Sequence, residues 1–136
     1  MEAAVEVQRI PVTNDMDIVT TRMEAREIAR KMGFGIVDQA RIATAVSELT
    51  RNIVLYAGEG TVTIHPIVSG ERSGIEVICE DQGPGIEDVD SVIKGDYKTP
   101  RGVGKGLPGA RRLMDELEIE TALGQGTRVT VRKWLR

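Results

Sequence analysis

This sequence is poor in several kinds of residue, and each shortage narrows what the protein can be. It has one cysteine, Cys79, so no disulfide can form within the chain. That fits a reducing compartment. Cys79 lies in an apolar run with no base beside it, which reads as a buried structural thiol and not as a nucleophile. There is one histidine, His65, placed in a strand-like segment beside Pro66. Such a residue suits a surface or core role better than phosphotransfer. Aromatic side chains make up 3% of the chain, namely Phe34, Tyr56, Tyr97 and Trp134. The core must therefore be aliphatic. No apolar stretch approaches the roughly 20 residues of a membrane span. The N-terminus has neither the basic start nor the apolar block of a secretory signal. Both absences point to a cytoplasmic protein with no membrane partner. Basic excess is missing too: the net charge is −3 and the pI about 5.3. A duplex-binding domain ordinarily carries a basic patch, so nucleic acid is not an expected partner. Basic residues do gather at Arg111–Arg112 and across Arg128–Arg136, and both clusters read as solvated faces.

What is present describes one domain, residues 1–136. At 136 residues the chain can bury a core without a metal or disulfide staple. Ala4–Ile10 alternates loosely, as an edge strand does. Asn14 or Asp15 caps a helix to about Met32, with Ile18, Ala25, Ile28, Ala29 and Met32 on one face and Gly33 as the stop. A second helix is expected over about Asp38–Tyr56, its stripe being Ile42, Val46, Leu49 and Ile53. Thr61–Val68 and Ile75–Asp81 read as strands joined through a turn over Ser69–Gly74, with Ile75, Val77 and Cys79 on one face. The glycine-rich stretch Gly83–Gly109 leaves room for a short helix near Val89–Lys94. A third long helix is predicted at Leu107–Leu117, with Pro108 in its first turn. Glu118–Ala122 and Thr127–Trp134 close the chain as a hairpin. The fold class is α/β (α+β): a two-layer sandwich with a mixed, mostly antiparallel sheet and helices on one face.

Three segments carry polar groups in patterns that suit chemistry. Asp81-Gln-Gly-Pro-Gly-Ile86 follows a strand directly. Its glycines allow the backbone close to a ligand, and Asp81 ends the strand with a carboxylate aimed at that space. Taken alone, the segment is also a plain turn with a capping aspartate. Gly102-Val-Gly-Lys-Gly-Leu-Pro-Gly109 opens a helix. Its backbone amides, with the point charge of Lys105, suit an anion. A flexible linker would look the same. It is not a dinucleotide fingerprint, because a long loop precedes the glycines, and no GxxxxGK[ST] phosphate loop occurs. Within the second helix, Glu48 and Asn52 lie four residues apart and project together. Glu48 can orient or deprotonate a hydroxyl. Asn52 offers a neutral oxygen of the kind Mg²⁺ accepts alongside phosphates and water. By itself the pair reads better as a solvated helix flank.

Taken in chain order, the segments read E-x-x-x-N, D-x-G-x-G-I and G-x-G-x-G-L, followed by Gly124-Gln-Gly-Thr127. This set resembles the GHKL (Bergerat-fold) ATPase superfamily of gyrase-type ATPases, Hsp90, histidine kinases and anti-sigma-factor serine kinases. The resemblance implies Glu48 as catalytic base and Asn52 as the Mg²⁺ ligand. It implies Asp81 as acceptor of the adenine amino group, supported by Thr127. Gly83, Gly85 and Ile86 then belong to the first glycine box. Gly102, Gly104, Lys105, Gly106 and Leu107 belong to the second, where a lid closes on the phosphates. ATP and Mg²⁺ are the implied cofactors. The runs Gly33–Ile42, Glu80–Ile86, Gly106–Gly109, Arg112–Glu116 and Lys133–Arg136 look like the RsbT-type stressosome switch kinases, serine/threonine kinases of that superfamily. That narrower resemblance implies STAS-domain substrates and, after their phosphorylation, activation of a PP2C-type phosphatase. A binding module that mainly sequesters a sigma factor is the competing expectation. The lid segment Lys94–Arg101, with Lys98 and Arg101, does not map onto a family pattern.

Overall fold

The computed structural model of the chain describes residues 7–85 and 106–136. The short helix expected near Val89–Lys94 and the lid segment lie outside these residues, as do Ile86, Gly102, Gly104 and Lys105.

β1 spans Gln8–Val12. The expected strand Ala4–Ile10 is met over Gln8–Ile10 and runs on to Val12, which is fully buried opposite Gly60, while positions 4–6 lie outside the described residues. Pro11 is tolerated because β1 is an edge strand and its nitrogen owes no hydrogen bond to a further neighbour. α1 covers Asp15–Met32. Asn14 Oδ1 accepts the Asp17 N–H at 3.2 Å, and Gly33 stops the helix at φ 98°. Asp15 and Asp17 in the first turn and Arg30 and Lys31 in the last complement the helix dipole. α2 runs Ile36–Asn52, and its expected stripe Ile42, Val46, Leu49 and Ile53 is buried.

The helical reading of residues 53–56 needs one correction. Ile53–Ala57 is a π-helical turn, in which the Gly58 N–H reaches back to the Ile53 carbonyl at 2.9 Å. One extra residue in the turn widens the end of α2 beside the cavity described below, a common place for such turns.

β2 (Gly60–Ser69) and β3 (Arg72–Asp81) form a hairpin whose Ser69 and Arg72 pair directly. The turn is tighter than the one expected, since Gly70 at φ 62° closes it in two residues. Ile75, Val77 and Cys79 do share the buried face. α3 covers only Leu107–Leu113, four residues shorter than the predicted Leu107–Leu117. Met114 is already extended, and the Asp115 N–H donates to the Arg132 carbonyl at 2.9 Å. Strand pairing wins there because Leu117 and Ile119 sit opposite Val131 and Val129 in the ladder. β4 therefore begins at Glu116 and runs to Ala122, and β5 is Gly126–Trp134.

The five strands form one sheet in the order β1-β2-β3-β5-β4. All four pairings are antiparallel, so the parallel component that "mixed" allowed is not found among the described residues. The buried face of the sheet and the inner sides of α1, α2 and α3 share one aliphatic core. The basic run at the C-terminus is not a uniform solvated face. Arg128 and Arg136 are exposed, but Lys133 is only 4% exposed. Alternation along β5 turns Lys133 to the same side as the buried Val129 and Val131.

Candidate functional site

One cavity opens between the end of α2, the π-turn, the ends of β3 and β5 and the start of α3. It holds about 440 Å³ outside protein atoms, solvent at the mouth included. Its walls are mostly apolar: Leu49, Ile53, Tyr56, Ala57, Cys79, Pro84, Leu107 and Val129. Its polar groups are few and converge from three elements: Asn52 from α2, Asp81 from β3 and Thr127 from β5. A mostly apolar cavity with a small number of placed polar groups is the usual build of a small-molecule site.

Asp81 and Thr127 are register partners across β3 and β5. Asp81 Oδ1 accepts the Gly83 N–H at 2.8 Å. Burial raises the Asp81 carboxyl above its ordinary value, while the backbone N–H groups of Gly83 and Thr127 pull the other way. The site thus holds an acceptor partly stripped of water, the state in which a ligand N–H is recognised most strongly. Thr127 Oγ1 lies 3.0 Å from Thr121 Oγ1, and Thr121 Oγ1 in turn donates to the Gly126 carbonyl at 3.0 Å.

The glycines are where they are because nothing larger fits. A Cβ on Gly83 would come within 2.7 Å of the Ala57 Cβ. Gly85, at φ 77°, packs on the Ala122 carbonyl, and the Gly124 N–H donates to the Pro84 carbonyl at 2.9 Å. The Asp81–Gly85 segment is clamped between the π-turn on one side and the β4–β5 turn on the other.

Glu48 stands apart from this cavity. Its Oε1 pairs with Arg51 at 3.2 Å, and its side chain is 33% exposed. Its Oε2 would be 2.5 Å from a Cβ on Gly106, the residue at φ 97° that opens α3. The structure therefore gathers Asn52, Asp81, Gly85, Leu107 and Thr127 around one cavity. It places Gly83 against Ala57 and sets Glu48 one turn before Asn52, against the start of α3. Sequence reasoning did not single out Tyr56, Ala57, Pro84 and Val129. Ala57-Gly58, two small residues closing a helix ahead of a strand, was the signal available for a close backbone approach.

Cys79 lines the cavity wall and is 3% exposed. Burial, with the charges of Asp81 and Glu80, pushes its thiol up to about 12. It is an inert wall group, as expected.

Residues 37–136 match the HATPase_c family, described as histidine kinase-, DNA gyrase B- and HSP90-like ATPases. The chain belongs to this family. Serine/threonine-protein kinase RsbT of Bacillus subtilis (strain 168) is 46% identical over 127 residues, covering 93% of this chain and 96% of that one. An anti-sigma F factor of Thermoanaerobacter sp. (strain X514) is 37% identical over 106 residues, covering 74% of this chain and 73% of the relative. Within HATPase_c the chain thus groups with the RsbT-type protein-serine/threonine kinases. Among solved structures, the SiaB–SiaC complex of Pseudomonas aeruginosa contains a chain that superposes with a TM-score of 0.57 at 13% identity. That match covers 98% of this chain and 92% of the other, and speaks to the fold alone. No helix among the described residues is long and apolar enough to cross a membrane.

Proposed function

We propose that this HATPase_c chain, residues 1–136 acting as one cytoplasmic kinase domain, transfers the γ-phosphoryl group of ATP to a serine or threonine of a STAS-domain partner. It then engages a PP2C-type phosphatase. The observation that carries this reading is similarity to RsbT over 93% of the chain combined with Asn52, Asp81 and Thr127 lining one mostly apolar cavity. Asp81 accepts the adenine amino group, and Thr127 holds the far side of the same strand pair. Leu49, Ile53, Leu107 and Val129 sandwich the purine. Gly83 and Gly85 let the ring edge approach the backbone. Ile86, Gly102, Gly104, Lys105 and Gly106 follow from the family resemblance as the remaining nucleotide contacts.

The residues present suit Mg²⁺. The Asn52 amide lines the cavity and makes no hydrogen bond to another side chain among the described residues. Among the described residues no cluster of three acidic, histidine or cysteine ligands stands ready to hold a metal alone. That combination matches a cation drawing most of its ligands from phosphates and water. Bound Mg²⁺ would neutralise charge on the β- and γ-phosphates. The acceptor hydroxyl oxygen attacks the γ-phosphorus, the bond to the β–γ bridging oxygen breaks, and ADP leaves. Glu48 takes the hydroxyl proton or orients the hydroxyl, which accounts for its place outside the adenine cavity.

A second reading is favoured by the anti-sigma F factor relatives: sequestration of a sigma factor as the main output. One experiment separates them. The purified chain is incubated with radiolabelled ATP, Mg²⁺ and a panel of STAS-domain proteins of its source organism, and titrated separately against sigma factors. Label on a STAS serine or threonine supports the kinase reading. Tight sigma binding with no label on any STAS protein overturns it.

A further inference from the structure

Burying a lysine is costly unless its charge is matched, and Lys133 is buried for a reason visible in its partners. Its Nζ donates to the Leu113 carbonyl at 2.8 Å. It also lies 3.7 Å from Asp115 Oδ1 and 3.8 Å from Asp38 Oδ1. Leu113 is the last residue of α3, and Asp38 belongs to the first turn of α2. One cation therefore bridges the negative end of α3 and the opening turn of α2. At this junction Arg41 pairs with Asp38 at 2.9 Å and Arg136 with Asp115 at 2.6 Å.

The two helix ends that Lys133 joins are the ends remote from the cavity. The opposite ends, Asn52 of α2 and Leu107 of α3, line it. At that near end the spacing is tight, with Glu48 Oε2 against Gly106. α3 has seven residues and no side-chain cap at its start, so its own hydrogen bonds hold it weakly. Its orientation depends on packing against α2 and on whatever ties down its far end. We infer that Lys133 is a positioning residue for the nucleotide site: its ammonium clamps the far ends of α2 and α3, and so sets the gap between Glu48 and Gly106 at the near ends.

The inference rests on the ATP reading above, and the test keeps the two apart. Lys133→Met retains the aliphatic stem and removes the charge. The expected result has two parts. Amide hydrogen exchange across residues 107–113 quickens in the ligand-free protein while β2 and β3 keep their protection. Mg-ATP affinity, measured by calorimetry well below the melting temperature, falls by about tenfold, the size of effect typical of residues that couple without touching ligand. Unchanged exchange in α3 together with unchanged affinity overturns the inference. So does a lower melting temperature with full ATP affinity in the folded protein, which marks a purely stabilising lysine. If Lys133→Met does not fold, Asp38→Asn decides by the same two readouts, with a smaller loss of about threefold expected and no change overturning the clamp. If the wild-type chain binds no ATP, the nucleotide reading falls, and the exchange in α3 alone judges the clamp.

Discussion

Asp81 and Thr127 face each other in register across β3 and β5, and both line the cavity that Asn52 enters from α2. An acid from one strand, a hydroxyl from its neighbour and an amide from a helix meet there, although 46 positions of sequence (127 − 81) separate the first two.

Asp81→Asn should separate stability from binding. Burial raises the Asp81 carboxyl, so between its ordinary value of 3.8 and the raised folded value the folded protein holds a proton that the unfolded chain has already released. Ionised Asp81 therefore costs stability, increasingly as pH rises from the ordinary value of 3.8 through the raised folded value, and fully above it. The ligand-free variant should melt at or above the wild-type temperature at neutral pH. ATP affinity should fall roughly 10- to 150-fold, since a lost charge-assisted hydrogen bond costs about 1.5–3 kcal/mol. Calorimetry giving wild-type affinity for the variant would show that Asp81 does not read adenine. In the wild type, ATP affinity should decline on the acid side at a pH above 3.8.

Asn52→Ala should abolish phosphoryl transfer and leave the circular dichroism spectrum unchanged. Asn52 is only half-buried, and among the described residues its amide holds no other side chain in place. On the proposed reading, its loss removes metal positioning at the phosphates. A folded variant that transfers phosphate at the wild-type rate defeats the assignment. Glu48→Ala should also slow transfer, but less, because placing the metal and phosphates weighs more than taking the acceptor's proton.

Cys79 should resist alkylation in the folded protein. With the thiol pushed up to about 12, almost no thiolate exists at pH 8, and the side chain is buried. Iodoacetamide should label it only after denaturation. Rapid labelling of the native chain, measured by mass, would mean that the cavity wall opens.

Gly126→Ala should be destabilising by about 2–4 kcal/mol, combining a left-handed backbone with overpacking. Gly126 sits at φ 92°, and a Cβ there would run into the Asp81 carbonyl. Because that contact adjoins Asp81 and Thr127, ATP affinity should fall with stability. A melting temperature within error of wild type would contradict the close approach.

Much of this was legible in the chain itself. The stripe Ile42, Val46, Leu49, Ile53 announces a helix with one buried side, and alternation over Ile75–Asp81 sends Asp81 to the same side as Cys79. The Asn14 cap and the Gly33 stop bound α1 because their chemistry is local. The sequence misled where a long-range partner outbid a local preference. Leu107–Leu117 has a helical pattern, yet Leu117 is drawn into the ladder opposite Val131, and the helix ends at Leu113.

Residue type and spacing alone determined that the chain holds a carboxylate at a strand end, a Glu–Asn pair one helical turn apart and glycines just after that strand. Those depend on contacts within a few residues, which the order of side chains dictates. Only the tertiary structure decided that Glu48 stands outside the cavity lined by Asn52 and Asp81 and against Gly106, that Ile53–Ala57 widens into a π-turn, and that Lys133 is buried between two helix ends. Each of these is set by how the sheet and helices pack across the core, and no local pattern encodes the distance between residues that meet only there.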